Sequence, residues 1–99
     1  MLSKIKPTAP KGLAKDTREW WERVVKDYPL EGQHIRLLTA ACQAWDSGQY
    51  AHAQLKKFGT TYINRFGQPC SRPEVAHERD ARAAFAKLIA QLNLAVGTP

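Results

Sequence analysis

Three histidines, two cysteines and nine acidic residues are the groups in this 99-residue chain that could do catalytic or metal chemistry. None stands at the spacing such chemistry requires. His77-Glu78-Arg79-Asp80 opens like the zinc-binding HExxH helix, but that site needs a second imidazole at the position held by Ala81. His34, His52 and His77 lie on separate segments with no cysteine at zinc-ligand spacing. His52 falls near an apolar stripe and reads as a hydrogen-bonded core or interface group. Cys42, on the same stripe, reads as a small hydrophobe. Cys70 sits in a loop beside Arg72, where a cation favours thiolate, yet no His or acid is placed to act with it. Asp46, Glu78 and Asp80 read as surface carboxylates that partner basic residues. No Gly-rich loop followed by Lys-Ser or Lys-Thr is present to cradle a phosphate. These patterns point to a chain that is no enzyme and takes no metal or cofactor.

The cations are more informative. Fifteen Lys and Arg stand against nine Asp and Glu, a formal charge of +6. Lys4, Lys6, Lys11 and Lys15 precede the first acid, Asp16, and Arg18 follows closely. A second acid-free run, residues 47–73, carries Lys56, Lys57, Arg65 and Arg72. Such runs neutralise phosphates through counterion release, which is salt-sensitive and indifferent to base sequence. The expected DNA contacts are Lys4, Lys6, Lys11, Lys15 and Arg18, with Lys56, Lys57 and Arg65 second. The alternative is a solvated basic face with a solubilising tail. Trp20-Trp21 could stack on single-stranded bases, but they share a helical face with Val24 and Tyr28 and read first as core.

These residues must be positioned by a single domain, since the chain is too short for two. Residues 1–14 hold two prolines, a glycine and three lysines and read as a flexible basic arm. Residues 15–95 read as one helical domain and 96–99 as a frayed tail. The periodicity predicts a first helix over 15–28, with Thr17, Trp20, Trp21, Val24, Val25 and Tyr28 on one face and a Glu22–Lys26 pair on the other. A second helix runs from about Glu31 to Phe58, its stripe passing through Ile35, Leu38, Ala41, Cys42 and Trp45, then His52 and Leu55, with Gly59 as its stop. Residues 60–70 read as two short strands around Phe66-Gly67, which must pack on something to be stable. Ser71-Arg72-Pro73-Glu74 reads as a Ser-capped start of a third helix that ends near Asn93. The expected fold is mainly α: a short N-terminal helix packed on a long antiparallel helical hairpin, with a small β-hairpin between the long helices.

At about 40 Å the second helix is longer than so small a core needs. On the third helix, Ala76, Ala83, Ala86 and Ala90 cluster away from the Phe85 stripe. A second apolar face suits an oligomer interface, although alanine is also simply the best helix former. No run approaches the ~18 apolar residues of a membrane span. The basic N-terminus has no apolar stretch of the signal-peptide kind, and two cysteines are too few for a disulfide scaffold. The expected compartment is a reducing cytosol.

The order of features resembles one family. A basic Pro-containing arm leads to Leu13 and the Trp20-Trp21 helix. A Leu30 turn then leads into a long helix with Leu38, Ala41, Cys42 and Trp45. Phe58-Gly59-Thr60, Arg65-Phe66-Gly67-Gln68-Pro69 and Arg72-Pro73 follow. Last come Glu78-Arg79-Asp80-Ala81-Arg82-Ala83-Ala84-Phe85 and Leu92-Asn93-Leu94. In this the chain is similar to the small terminase subunits of tailed phages, from about residue 10 to residue 95. Many members carry Leu-Gly-Leu where this chain has Leu92-Asn93-Leu94, and the short remainder leaves little extension for docking. The resemblance implies a ring-forming subunit that binds double-stranded viral DNA at the packaging start site in the host cytoplasm and presents it to the large ATPase–nuclease subunit. Two other functions fit the residues: a regulatory adaptor of the large subunit that never touches DNA, and a small helix-turn-helix regulator. The last draws on the Pro29–Gly32 turn, although the second helix offers only His34 and Arg36 at its polar N-terminal face.

Overall fold

The structure, a computed structural model, describes residues 7–93. Lys4, Lys6 and the 96–99 tail lie outside the described residues. Three helices, α1 (Lys15–Asp27), α2 (Gly32–Phe58) and α3 (Pro73–Leu92), enclose a two-stranded antiparallel sheet, β1 (Thr61–Ile63) and β2 (Pro69–Ser71), between α2 and α3. The mainly helical architecture with a small β element between the long helices is the expected one.

α2 and α3 are antiparallel, and their partners run in opposite order. Trp45 meets Phe85 at 5.1 Å between ring centroids, a Cβ on Gly48 would lie 3.3 Å from that of Ala81, and His52 Nδ1 lies 2.9 Å from Glu78 Oε2. Ala41, Gly48 and Ala51 on α2 and Ala81 on α3 are buried. Small residues here let two backbones approach closely. The second half of the α2 stripe therefore passes through Gly48 and Ala51, not through His52, which is exposed. Trp45, expected inside, is 44% exposed because Phe85 covers only one side of its ring.

α1 closes one end of this hairpin. Its buried face, Thr17, Trp21 and Val24, joins Leu13, Leu38, Cys42 and Leu92 in the core, and Trp20, Val25 and Tyr28 flank it. Trp21 is 1% exposed, and its indole N–H donates to Thr39 Oγ1 at 3.2 Å, so a large apolar ring is buried with its polar atom satisfied. The Glu22–Lys26 pair does not close among the ion pairs of the described residues.

The helix ends follow local chemistry. At the start of α2, His34 Nδ1 accepts the Glu31 backbone N–H at 3.1 Å, so the imidazole serves as a cap. Gly59 ends α2 at φ 85°, as expected of glycine there. Arg72 stands at the N-cap position of α3 without a side-chain capping bond, and Pro73 lies in the first turn. Ser71 is instead the last residue of β2, because the strand pairing Thr61↔Ser71 claims it. α3 ends on Asn93 in the left-handed region at φ 50°. After glycine, asparagine is the residue that best tolerates this conformation, so Asn93 can serve where a family resemblance leads one to expect glycine.

The helical pair is long: α2 alone runs for 27 residues, about 40 Å of axis. The α1 end carries the core. Toward the other end only the α2–α3 pair and the β-hairpin remain.

Candidate nucleic-acid interface

The β-hairpin does not pack on the body as the sequence suggests it must. β1 is exposed throughout, and of β2 only Cys70 is half-buried. The turn is instead held from within by Asn64. Its side-chain oxygen accepts the backbone N–H of Phe66 at 2.8 Å and of Gln68 at 3.0 Å, and its Nδ2 donates to Cys70 Sγ at 3.3 Å. Backbone bonds from Asn64 N to Gln68 O and from Gly67 N to Asn64 O, both 2.9 Å, close the loop. Gly67 stands at φ 79°, a conformation that side-chain-bearing residues rarely adopt. Phe66 is thus presented on a fixed tip.

The hairpin and the last turn of α2 beside it combine two kinds of exposed group. Phe66 is 73% exposed, Ile63 65%, Phe58 50% and Tyr62 43%. Cations lie over two of the rings: Lys57 Nζ and the Arg72 guanidinium over Phe58 at 5.2 and 5.3 Å, and Arg65 over Phe66 at 5.1 Å. Arg72 is only half-exposed, stacks on Phe58, and faces Glu74 at 3.7 Å, so it holds the base of the hairpin. Lys56, Lys57 and Arg65 are exposed and enter no ion pair among the described residues. No acid occurs between Asp46 and Glu74 to oppose them.

The other expected contacts lie elsewhere. Lys11, Lys15 and Arg18 are exposed and likewise form no ion pair among the described residues. Lys11 and Arg18 line one shallow hollow with Thr8–Gly12 and Glu22, so this part of the arm lies back on α1. α1 is fastened there by Asp46 of α2, whose two carboxylate oxygens accept the Ala14 backbone N–H at 2.8 Å and the Thr17 hydroxyl at 2.6 Å. Asp46 is therefore a cap for a neighbouring helix and not the salt-bridge partner its type suggests. From Asp46 to Lys57 is eleven residues of helix, about 16 Å of axis, so the two cation groups are not brought together. Ala76, Ala83, Ala86 and Ala90 are all exposed on α3. A separate groove of about 380 Å³, lined by Asp16, Thr17, Trp20, Cys42, Trp45 and Phe85, includes none of them.

The remaining reactive groups are engaged structurally. Ser47 Oγ and His77 Nε2 share a hydrogen bond at 2.5 Å, the contact of a nucleophile with its base, but among the described residues no carboxylate hydrogen-bonds His77 to orient it. Glu78 binds both His52 at 2.9 Å and Arg82 at 2.6 Å, and Asp80 faces Arg79 at 3.5 Å, the ion-pair role expected of these acids. Burial first, and the Asp46 carboxylate second, push the Cys42 thiol up to about 11, which keeps it protonated and inert near neutrality. No three His, Cys, Asp or Glu side chains converge on a metal-sized site among the described residues. None of the described helices is long and apolar enough to cross a membrane.

Charge counting finds Lys56, Lys57 and Arg65 but passes over Phe58, read as the end of the second helix, Phe66, read as part of the turn, and Tyr62 and Ile63, which read as strand residues needing cover. The signal available was the Asn64 to Gly67 spacing, which builds a self-contained turn. Compared with family models, curated proteins and solved structures, the chain finds no match.

Proposed function

We propose that this chain is the small, DNA-recognising subunit of a tailed-phage packaging motor. In this reading several copies form a ring, bind double-stranded viral DNA at the packaging start site in the host cytoplasm, and present it to the large ATPase–nuclease subunit. The chain performs no catalytic step itself. The observation that carries the DNA part is the hairpin with the α2 end beside it: Arg65 in the turn and Lys56 and Lys57 in the last turn of α2 are exposed, enter no ion pair among the described residues, and accompany exposed aromatic rings. Phosphate neutralisation suits the cations, and the aromatic rings suit bases.

Uncovered apolar surface supports assembly. Trp45, the groove beside it and the α3 alanines supply uncovered apolar surface, and a second copy is a fitting occupant. Linking many weak phosphate contacts in one particle raises their effective concentration and firms the grip.

Native mass measurement of the full chain, with and without duplex DNA, tests the reading. The expected result is a closed oligomer larger than a dimer that binds duplex with a steep salt dependence. Ala83→Arg places a charge on the α3 alanine face and should reduce the mass to that of the monomer. A dimer bound to a palindromic site would favour the helix-turn-helix regulator, and an oligomer indifferent to DNA the adaptor; either result overturns the proposal.

A further inference from the structure

We infer that the β1–β2 tip is an apolar wedge for duplex DNA, entering at base steps that are unpaired or easily unstacked. The inference rests on the DNA-binding reading and adds the kind of DNA the tip selects. Three features point this way. Phe66, the most exposed large hydrophobe of the described residues, and Ile63, as exposed as Tyr50 at 65%, lie in or beside the turn. The Asn64 bonds hold the Phe66 backbone in place, so little ordering cost attends insertion. Positive charge lies nearby: Lys56, Lys57 and Arg65 stand in a stretch of sequence without acids, while Glu74, at the base of the hairpin, faces Arg72.

Apolar side chains alone would suit a protein surface, and cations alone a phosphate backbone. Their combination at one end of the molecule, on the hairpin and the last turn of α2, fits a polyanion whose interior is apolar and stacked, which is the chemistry of DNA. A two-stranded ribbon is narrow enough to enter a groove. Side chains such as Phe and Ile then wedge between base steps, at the expense of unstacking them. That cost is least where bases are already unpaired. The tip should therefore bind a duplex with a mismatched bubble more tightly than the same duplex fully paired. Arg65 over the Phe66 ring, at 5.1 Å, would deliver its charge to the phosphates beside the opened step.

The test measures binding of the full chain to two duplexes of equal length, one fully paired and one with a central mismatched bubble, over a series of salt concentrations. The wild-type chain should prefer the bubble roughly five- to a hundredfold, the range for stacking one aromatic ring on a base. Phe66→Ala combined with Ile63→Ala should abolish that preference while leaving the salt slope unchanged. Lys56→Ala combined with Lys57→Ala should flatten the slope by up to about 0.9 per lysine, and keep the preference. Both pairs are exposed, and helix content by circular dichroism confirms that each variant is folded. Equal binding of the two duplexes by the wild-type chain overturns the wedge and leaves DNA binding standing, as does an aromatic variant that keeps the preference. A wild-type chain that binds neither duplex overturns the wedge and the reading beneath it. Should the tip instead meet an acidic protein face, neither variant pair would alter DNA affinity, and the inference fails.

Discussion

Removing the Asp46 carboxylate should loosen α1 from the rest of the molecule. Asp46 Oδ2 takes the Ala14 backbone N–H at 2.8 Å and Oδ1 takes the Thr17 hydroxyl at 2.6 Å. The first bond satisfies a donor that the start of α1 cannot satisfy itself, and loss of a capping side chain costs about 1 kcal/mol. The second is a charge-assisted bond to a hydroxyl on a 7% exposed residue, a class worth about 1.5–3 kcal/mol. The two share one carboxylate on a half-buried residue, so their values do not add in full. Asp46→Ala should therefore destabilise the fold by about 2–3 kcal/mol, a large part of the roughly 5 kcal/mol at the low end for small domains. Urea unfolding followed by both tryptophan emission and far-ultraviolet circular dichroism measures this. In a double-mutant cycle with Thr17→Val, the two changes should couple by at least about 1 kcal/mol, because both act on one bond. Asp46→Asn, which keeps an acceptor but not the charge, should fall between. An Asp46→Ala variant within about 0.5 kcal/mol of wild type, or a coupling near zero, would refute the assignment of Asp46 as the fastening of α1.

Two further perturbations probe the helical pair and the core. Gly48→Leu places a branched side chain where even a Cβ meets Ala81 at 3.3 Å, and should destabilise by about 1–3 kcal/mol in thermal unfolding. Gly48→Ala should be close to neutral, since better helix propensity offsets the tight contact; a stabilising Leu would contradict the close approach. For Cys42, the folded state holds the thiol proton more tightly than the unfolded chain, with the value moving from 9.0 to about 11. Its stabilisation is complete below pH 9 and is lost as the pH rises toward 11, by up to roughly 2–3 kcal/mol. Cys42→Ala should lack that alkaline loss in denaturation curves; an identical loss in the variant would place its origin elsewhere.

The helices were legible because burial repeats along them. Thr17, Trp21 and Val24 recur at helical spacing, and Pro29, Gly59 and Pro73 punctuate the chain where backbone constraints require it. What periodicity misses depends on the partner surface. Gly48 looks like an interruption in the α2 stripe, whereas it is the point where α3 comes nearest, and only the position of Ala81 reveals that. His52 has the right spacing to be buried, yet lies beside the contact, where its imidazole meets the Glu78 carboxylate at 2.9 Å. Asp46 carries no local mark of its role, because its partners are 32 and 29 residues away. The candidate site was half visible. Lys56, Lys57 and Arg65 follow from charge counting, but a short strand pair with apolar residues implies a covering body. Asn64 removes that need by satisfying the turn from inside.

The separation of the two cation groups constrains how an assembly of this chain would hold DNA. α2 is a strut with α1, Lys11, Lys15 and Arg18 at one end and the β-hairpin with Lys56, Lys57 and Arg65 at the other. Rotation about a symmetry axis carries every copy of a given residue to the same height and radius. All tips would therefore form one circle and all arms another, whichever face the copies share. Each circle multiplies its few cations by the number of copies, but a rigid strut prevents one circle from moving without the other. A duplex in contact with only one circle leaves the second set of charges free to bind another stretch of DNA. The salt dependence then separates the two arrangements. If a single duplex engages both circles, removing either cation group flattens the slope and the two removals add. If only the tips hold it, neutralising Lys11, Lys15 and Arg18 leaves the slope near its original value, because those sites release no counterions on binding.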